Sequence, residues 1–191
     1  MITIEYNIER ALQYAEKIIG TKYEYWCEGT ELSNKGPMWV STEALPSEKI
    51  VREQSVNCVG LINLMRRVLQ LTIPGIGLNV KYPGGIYEWY RYLTQKNALH
   101  KFDYTLTYKR GTLFLRPYES ELDQGHVSVL YEENKESSLY SIIIHSSVST
   151  PFQIDTKLDP GVNIDHTLGQ SHFYYKYGYY QHYCLPEVWL I

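Results

Sequence analysis

The hydrophobic pattern of this chain changes its period about halfway along, and that change limits the fold more than any other feature. Up to about residue 95, apolar residues recur every three or four positions, as in helices that bury one face. Beyond about residue 100 they occur in short alternating runs rich in Val, Ile, Leu, Thr and Tyr, which are typical of strands. Helices followed by consecutive strands predict an α+β fold with an antiparallel sheet, because a parallel sheet needs helices and strands in alternation.

Three amphipathic helices are predicted in the first half of the chain, over residues 7–20, 57–71 and 86–95. Asn7 is the predicted cap of the first helix, and Gly20 stands where a C-terminal cap belongs. Residues 21–55 have a mixed composition with several Gly and Pro. We expect an ordered loop there, with a short helical turn near residues 47–53.

Five strands are predicted in the second half, over residues 104–108, 112–116, 126–131, 139–145 and 185–191. The clearest pair is the segment GHVSVLYEENKESSLYSIIIHSS, in which a charged turn separates two apolar runs. If these runs pair as a hairpin, His126 at the start of one strand and His145 at the end of the next lie near the same end, roughly 5 Å apart.

The composition predicts one domain over residues 1–191, with a long loop insert at about residues 27–55. The chain has 191 residues, of which 44% are hydrophobic, and a single core accommodates this length. The formal net charge of −3 argues against a nucleic-acid partner, because binding to the phosphate backbone needs a basic surface.

Cysteine usage favours a reducing compartment. Cys27, Cys58 and Cys184 form no CxxC pair, so a disulfide framework is not expected. The N-terminal segment carries charges where a signal peptide needs its apolar run, and no stretch approaches the length of a membrane span. We therefore predict a cytoplasmic or intracellular protein with no membrane span and leave its oligomeric state open.

Cys58 is the strongest candidate for a chemically active residue. It follows Ser55 and Asn57, either of which could cap the helix, and it precedes a long apolar-periodic run, which places it in the first turn of the second helix. Unpaired N–H groups and the helix dipole favour an anion there, so we expect a lowered thiol pKa. Gly60 leaves space beside the sulfur. The alternative is a buried structural cysteine, because free cysteine is among the most buried residue types.

The two hairpin histidines complete a candidate catalytic set. A cysteine nucleophile needs an imidazole as general base and acid, and that imidazole needs a third polar group to fix its tautomer. His126 suits the first role and His145 the second, which gives the chain order Cys, His, His. On its own, His126 would be read as a surface or turn histidine.

Four blocks of the sequence, in this order, resemble the NlpC superfamily of papain-like cysteine peptidases. The blocks are IIGTKYEYW, NCVGLINLMRRVL, RGTLFLR, and GHVSVLY followed by IIIHSS. The residues that match are Gly20 and Tyr23, then Cys58, Gly60 and Leu61, then Gly111 and Leu113, and finally His126 and His145. The resemblance spans roughly residues 7–148 and implies a papain-like fold with N-terminal helices packed on an antiparallel sheet.

The resemblance implies Cys58 as the nucleophile, His126 as the base and acid, and His145 as the orienting third member. Tyr23 would be a wall residue whose hydroxyl faces the cysteine or the substrate, and Asn57 and Val59 complete the predicted substrate-binding or oxyanion set. Asn57 and Val59 depart from the family pattern of Asp and Ser around the cysteine. The reaction type is therefore expected to be shared and the substrate to differ.

The predicted function is hydrolysis of an amide bond in a peptide or peptidoglycan-like substrate, without a cofactor. An acyltransferase or a thioester or lipid deacylase with the same triad is an alternative, and so is an inactive binding module. A metal site is a weaker candidate because no tight His-x-x-x-His pair exists. Its potential ligands are His166, His172 and His182 with Asp159 and Asp165. The Tyr-rich residues 171–184 fit either a stacking surface or a half-buried strand pair.

Overall fold

The computed structural model describes residues 3–23, 45, 47–120, 124–147, 161–165, 168 and 180–191. The helices in these residues are α1 (Ile4–Lys17), α2 (Glu48–Glu53), α3 (Cys58–Val68), α4 (Ile86–Gln95) and α5 (Pro186–Trp189). The strands are β1 (His100–Lys101), β2 (Leu113–Arg116), β3 (His126–Glu132), β4 (Ile142–Ser147), β5 (Gly161–Asp165) and β6 (His182–Cys184).

The described strands form a single sheet in the order β1-β6-β2-β3-β4-β5, and every neighbouring pair is antiparallel. Helices precede most of the sheet in the chain and pack on it, so the predicted α+β class is confirmed. None of the helices in the described part of the chain has the length and apolar character needed to cross a membrane.

α3 is the central helix of the fold. It packs against α1 on one side and against β3 and β4 on the other. Because it is enclosed in this way, nearly all of its residues are buried, and its fully buried apolar side chains are Leu61, Ile62, Leu64 and Met65. Burying each such side chain stabilises the fold by about 1.5–3 kcal/mol, which anchors the first turn of α3 against the sheet.

The helices follow the predicted pattern, with shifts at their ends. α2 and α4 lie where they were predicted, and α3 ends at Val68 rather than near residue 71. The predicted Asn7 cap is wrong: α1 begins at Ile4, and the Thr3 hydroxyl caps it by accepting from the Tyr6 N–H. Asn7 lies inside the helix, where its side-chain amide donates to the Leu190 carbonyl at 2.7 Å.

The predicted strand at residues 104–108 is wrong, because side-chain hydrogen bonds close a turn there. The Asp103 carboxylate accepts from both the backbone N–H and the hydroxyl of Thr105, at 2.9 and 2.7 Å. The Tyr108 hydroxyl donates to the Asp103 carbonyl at 2.7 Å and accepts from its N–H at 2.9 Å. These bonds occupy the backbone groups that a strand would use.

The predicted strand at residues 185–191 is also wrong. Pro186 lacks an N–H and occupies the first turn of α5, where no hydrogen bond from that position is needed. The strand in this region is β6, which ends at Cys184 and pairs with β1 and β2. Of the Tyr-rich segment, residues 180–184, which include β6, are described, and residues 171–179 lie outside the described residues.

The hairpin segment is a strand pair, as predicted, with a later start to its second strand. Residues 138–140 form a 3₁₀ turn, and β4 begins at Ile142. The register between β3 and β4 shifts between Leu130 and Glu132. β5 was not predicted, and it covers the outer edge of β4.

Candidate functional site

Cys58 is the first residue of α3, and Asn57 is its N-cap. The Asn57 side-chain carbonyl accepts from the Gly60 N–H at 2.7 Å, which satisfies one of the open donors of the first turn. Asn57 is only 6% exposed, so its amide serves the helix end rather than open solvent. The sequence predicted this residue for substrate binding, and the structure gives it a capping role.

Two connections hold the chain before Cys58 in place. The Val56 N–H donates to the Lys22 carbonyl at 2.8 Å, and the Ser146 hydroxyl of β4 donates to the Val56 carbonyl. Lys22 also forms a bridge with Gly161 at the start of β5. The start of α3 is therefore fixed against the end of the sheet that carries the histidines.

Tyr23 lies beside this same segment. It follows Lys22, which bridges Ser55 in parallel, so the backbone of Tyr23 runs alongside the residues that lead into α3. Its side chain is partly buried. The structure thus brings Tyr23 next to the helix start, and the direction of its hydroxyl toward Cys58 stays a prediction.

The Cys58 sulfur lies against three backbone N–H groups. Hydrogen bonds from Val127 on β3, from Val59 and from Cys58 itself favour the thiolate. Burial outweighs them, because the side chain is only 8% exposed, and it raises the pKa of the Cys58 thiol to about 11. The lowered pKa expected from the helix position is therefore wrong for this closed arrangement: desolvation exceeds the effect of the helix end.

The two candidate histidines are in direct contact. His126 Nε2 and His145 Nδ1 are 3.1 Å apart, and the rings meet edge to face with centroids 5.2 Å apart. Both residues are 6% exposed. Because Val129 pairs with Ile144, His145 lies diagonally across from His126 on the neighbouring strand.

His126 is neutral at physiological pH. Burial lowers its pKa well below the ordinary value of 6.5, and the nearby His145 and Arg116 lower it further. Since Nε2 faces His145, Nδ1 is the ring nitrogen with which His126 can take a proton from another group. Val127, which follows His126, is the residue whose N–H reaches the Cys58 sulfur, so the thiol lies against the backbone of β3 next to His126.

Val59 contributes through its backbone. Its side chain is 4% exposed and belongs to the core, while its N–H points to the Cys58 sulfur. The predicted oxyanion role therefore has a donor in place at Val59, supplied by the main chain.

The sequence did not point to three further residues of this cluster. Arg116 is directly opposite His126 in the β2–β3 register, and Asn163 is directly opposite His145 in the β4–β5 register. The Tyr180 ring, 3% exposed, lies with its centroid 6.2 Å from that of His126. Strand register places Arg116 and Asn163 beside the histidines, and long-range packing places Tyr180 there. No local sequence pattern indicates these contacts.

The described candidates that remain are His182 and Cys184, and the contacts that the structure shows for them lie outside this cluster. Among the described residues, no group of three or more His, Cys, Asp or Glu is placed to hold a metal ion. His182 contacts the Tyr90 ring, and Cys184 is buried with a pKa raised to about 12 by burial. The other predicted metal ligands, Asp159, His166, His172 and the side chain of Asp165, lie outside the described residues, as does Cys27.

A surface cavity of about 750 Å³ lies between α1 and α2. Its lining includes Tyr6, Arg10 and Tyr14 and none of the candidate catalytic residues. The candidate site is a buried cluster at the end of the sheet, and it is separate from this cavity.

Comparison with known proteins adds no name to this site. No protein-family model matches the chain, and no curated protein matches it.

Proposed function

We propose that the protein is a papain-like cysteine hydrolase of the NlpC type that cleaves an amide bond in a peptide or peptidoglycan-like substrate. The observation that supports this most is the 3.1 Å contact between His126 and His145 on strands whose backbone, at Val127, reaches the sulfur of a cysteine at a helix start. A nucleophile, a base and a group that orients the base are the minimum set for acyl transfer through a thioester.

In the proposed reaction the thiol and the imidazole begin neutral. The Cys58 sulfur attacks the substrate carbonyl carbon while His126 Nδ1 accepts the thiol proton, and the carbonyl electrons move to oxygen. The tetrahedral intermediate collapses, the C–N bond breaks, and the amine leaves with the proton from His126. Water, deprotonated by His126, then attacks the thioester, releases the acid and restores the thiol.

The helix start supplies the electrostatic stabilisation in this proposal. The N–H groups of Cys58 and Val59 already point to the sulfur, so they lie close to the oxygen of a carbonyl attacked there. The Tyr23 hydroxyl is the proposed additional donor. The positive end of the α3 dipole acts in the same direction.

His145 holds His126 in the required tautomer. Its Nδ1 meets His126 Nε2, which leaves His126 Nδ1 to exchange the proton with Cys58. Asn163, 7% exposed, is directly opposite His145 in the β4–β5 register. The arrangement is a row of polar side chains across three neighbouring strands.

The proposal is tested by acylation with p-nitrophenyl acetate, which needs no knowledge of the substrate. The wild type should release nitrophenolate in a burst that matches the protein concentration. Cys58→Ala should lose the burst, and His126→Gln should slow it by about 10²- to 10⁴-fold because the base is lost. The matched control is Cys184→Ala, which removes the other described buried thiol and should keep the burst.

The same assay distinguishes the proposed hydrolase from the alternative functions. A burst of wild-type size in Cys58→Ala contradicts the proposal. Adding a soluble amine distinguishes hydrolysis from acyl transfer: preferential transfer of the acetyl group to the amine, rather than to water, identifies an acyltransferase that uses the same triad.

A non-catalytic binding module is the second candidate, and the burial of the cluster favours it. Cys58, His126 and His145 are each less than 10% exposed, and the Cys58 pKa is raised to about 11. Absence of acylation in a folded wild-type protein would select this candidate.

A further inference from the structure

Arg116 is a charged residue of the site that the proposed reaction does not use. It is the last residue of β2 and pairs directly with His126, the first residue of β3. Side chains of directly paired residues in an antiparallel sheet project from the same face, with Cβ atoms roughly 5 Å apart. The Arg116 side chain therefore starts beside the His126 ring.

The positive charge of Arg116 acts on both reacting groups. It favours the thiolate of Cys58 and lowers the pKa of His126, although burial is the larger cause of both shifts. Among the described residues, no carboxylate contributes to either shift. Arg116 is thus the described cation that acts on both groups.

Arg116 also differs from the other residues of the cluster in its exposure. Cys58, His126 and His145 are buried, whereas Arg116 is partly exposed. A group that approaches the cluster from solvent would therefore meet a cation at its margin. A guanidinium presents several N–H donors in a planar fork, which suits a carboxylate better than a neutral group.

We propose that Arg116 binds an anionic group, such as a carboxylate, that the substrate carries within a few bonds of the carbonyl attacked by Cys58. This inference rests on the proposed function and adds the substrate class: acidic acyl compounds in preference to neutral ones.

Two alkylating reagents of nearly equal size test this inference. Iodoacetate and iodoacetamide both react when sulfur forms a bond to carbon and iodide leaves, and they differ in that only iodoacetate is an anion. The ratio of the two alkylation rates at Cys58 does not depend on the thiol pKa or on the access to the buried sulfur, because both affect the two reagents alike. Dividing this ratio by the same ratio in the urea-unfolded protein removes the intrinsic difference in reactivity between the reagents. What remains is the interaction of the site with negative charge.

The folded wild type should favour iodoacetate over iodoacetamide relative to the unfolded chain. Arg116→Gln should lower this normalised ratio by about 3- to 10-fold, the effect expected of one unit charge roughly 5 Å away in a solvent-like dielectric. Arg116→Lys should retain most of the ratio because it keeps the charge. Arg10→Gln, which removes a positive charge from the exposed side of α1, is the matched control and should leave the ratio unchanged.

A normalised ratio in Arg116→Gln within about 1.5-fold of the wild-type value overturns the inference. A second measurement needs no variant: salt at about 0.5 M should lower the wild-type ratio by screening Arg116, and a ratio that does not respond to salt counts equally against it. Failure of the proposed function would be seen in a different assay, as the absence of the nitrophenyl ester burst. The alkylation ratio is measured independently of that burst.

Discussion

Replacing Asn57 by Ala tests how the start of α3 is held. The Asn57 side chain accepts from the buried Gly60 N–H at 2.7 Å. Loss of a capping side chain costs about 0.5–2 kcal/mol, and a buried donor left without an acceptor costs about 1–3 kcal/mol. The two ranges describe the same lost bond, so we expect Asn57→Ala to lower the free energy of unfolding by about 2 kcal/mol.

Guanidinium denaturation followed by far-UV circular dichroism measures this change. For a chain of this size, a loss of about 2 kcal/mol corresponds to a decrease in Tm of about 4–8 °C. Asn57→Asp is the matched control, because a carboxylate still accepts from the Gly60 N–H and suits the positive end of the helix. It should lose less stability than Asn57→Ala. Its negative charge should nevertheless slow acylation of Cys58, since it opposes a developing thiolate next to it.

An unfolding free energy of Asn57→Ala within about 0.5 kcal/mol of wild type would refute this reasoning. It would mean that water or another group replaces the cap, and that Asn57 is available for the substrate-binding role that the sequence suggested. Equal losses in Asn57→Ala and Asn57→Asp would show that the neutral amide, rather than its acceptor oxygen, is what the helix start requires.

Three further predictions follow from the pKa shifts and from the position of Tyr23. The free energy of unfolding should fall as the pH rises from 9 toward 11, because the unfolded chain releases the Cys58 proton that the folded chain retains, and a urea titration should show a smaller fall in Cys58→Ala. Stability should also fall as the pH drops below 6.5, because unfolded His126 binds a proton that the folded chain excludes; an equal fall in His126→Gln would contradict this assignment. Tyr23→Phe should slow the ester burst by about 10-fold or more with unchanged stability, whereas an unchanged burst would remove the hydroxyl from the oxyanion site.

The helical half of the fold was predictable from local sequence. The apolar stripes of α1, α3 and α4 repeat with the helical period because each helix buries one face, or nearly all of its surface, in the core. The position of Cys58 at a helix start also followed from local chemistry, since Asn57 is a good cap and directly precedes the apolar run.

The contact between His126 and His145 was predictable because the hairpin connection is short. Strands that are close in sequence pair with few alternatives, and alternation along β3 and β4 identifies which residues share a face. The register shift near Tyr131 did not affect the predicted contact between the two histidines, because the shift lies toward the turn and away from them.

The failures arose where side-chain hydrogen bonds, the depth of burial or strand register decide the local structure. The Tyr108 hydroxyl binds back to Asp103 and prevents a strand in a segment of good strand composition. The thiol pKa depends on how deeply α3 is enclosed, which the helix sequence does not specify. Arg116 joins the cluster only through the register between β2 and β3, which no local pattern determines.

The central claim is that Cys58 forms a covalent acyl intermediate with the help of His126. Its most direct test is mass-spectrometric mapping of protein that is quenched in acid shortly after mixing with p-nitrophenyl acetate. We expect one acetyl group on the peptide that contains Cys58 in the wild type, and little or none there in His126→Gln at the same time point. An acetyl group found only on lysines or on Cys184, or equal labelling of Cys58 in both proteins, would contradict it.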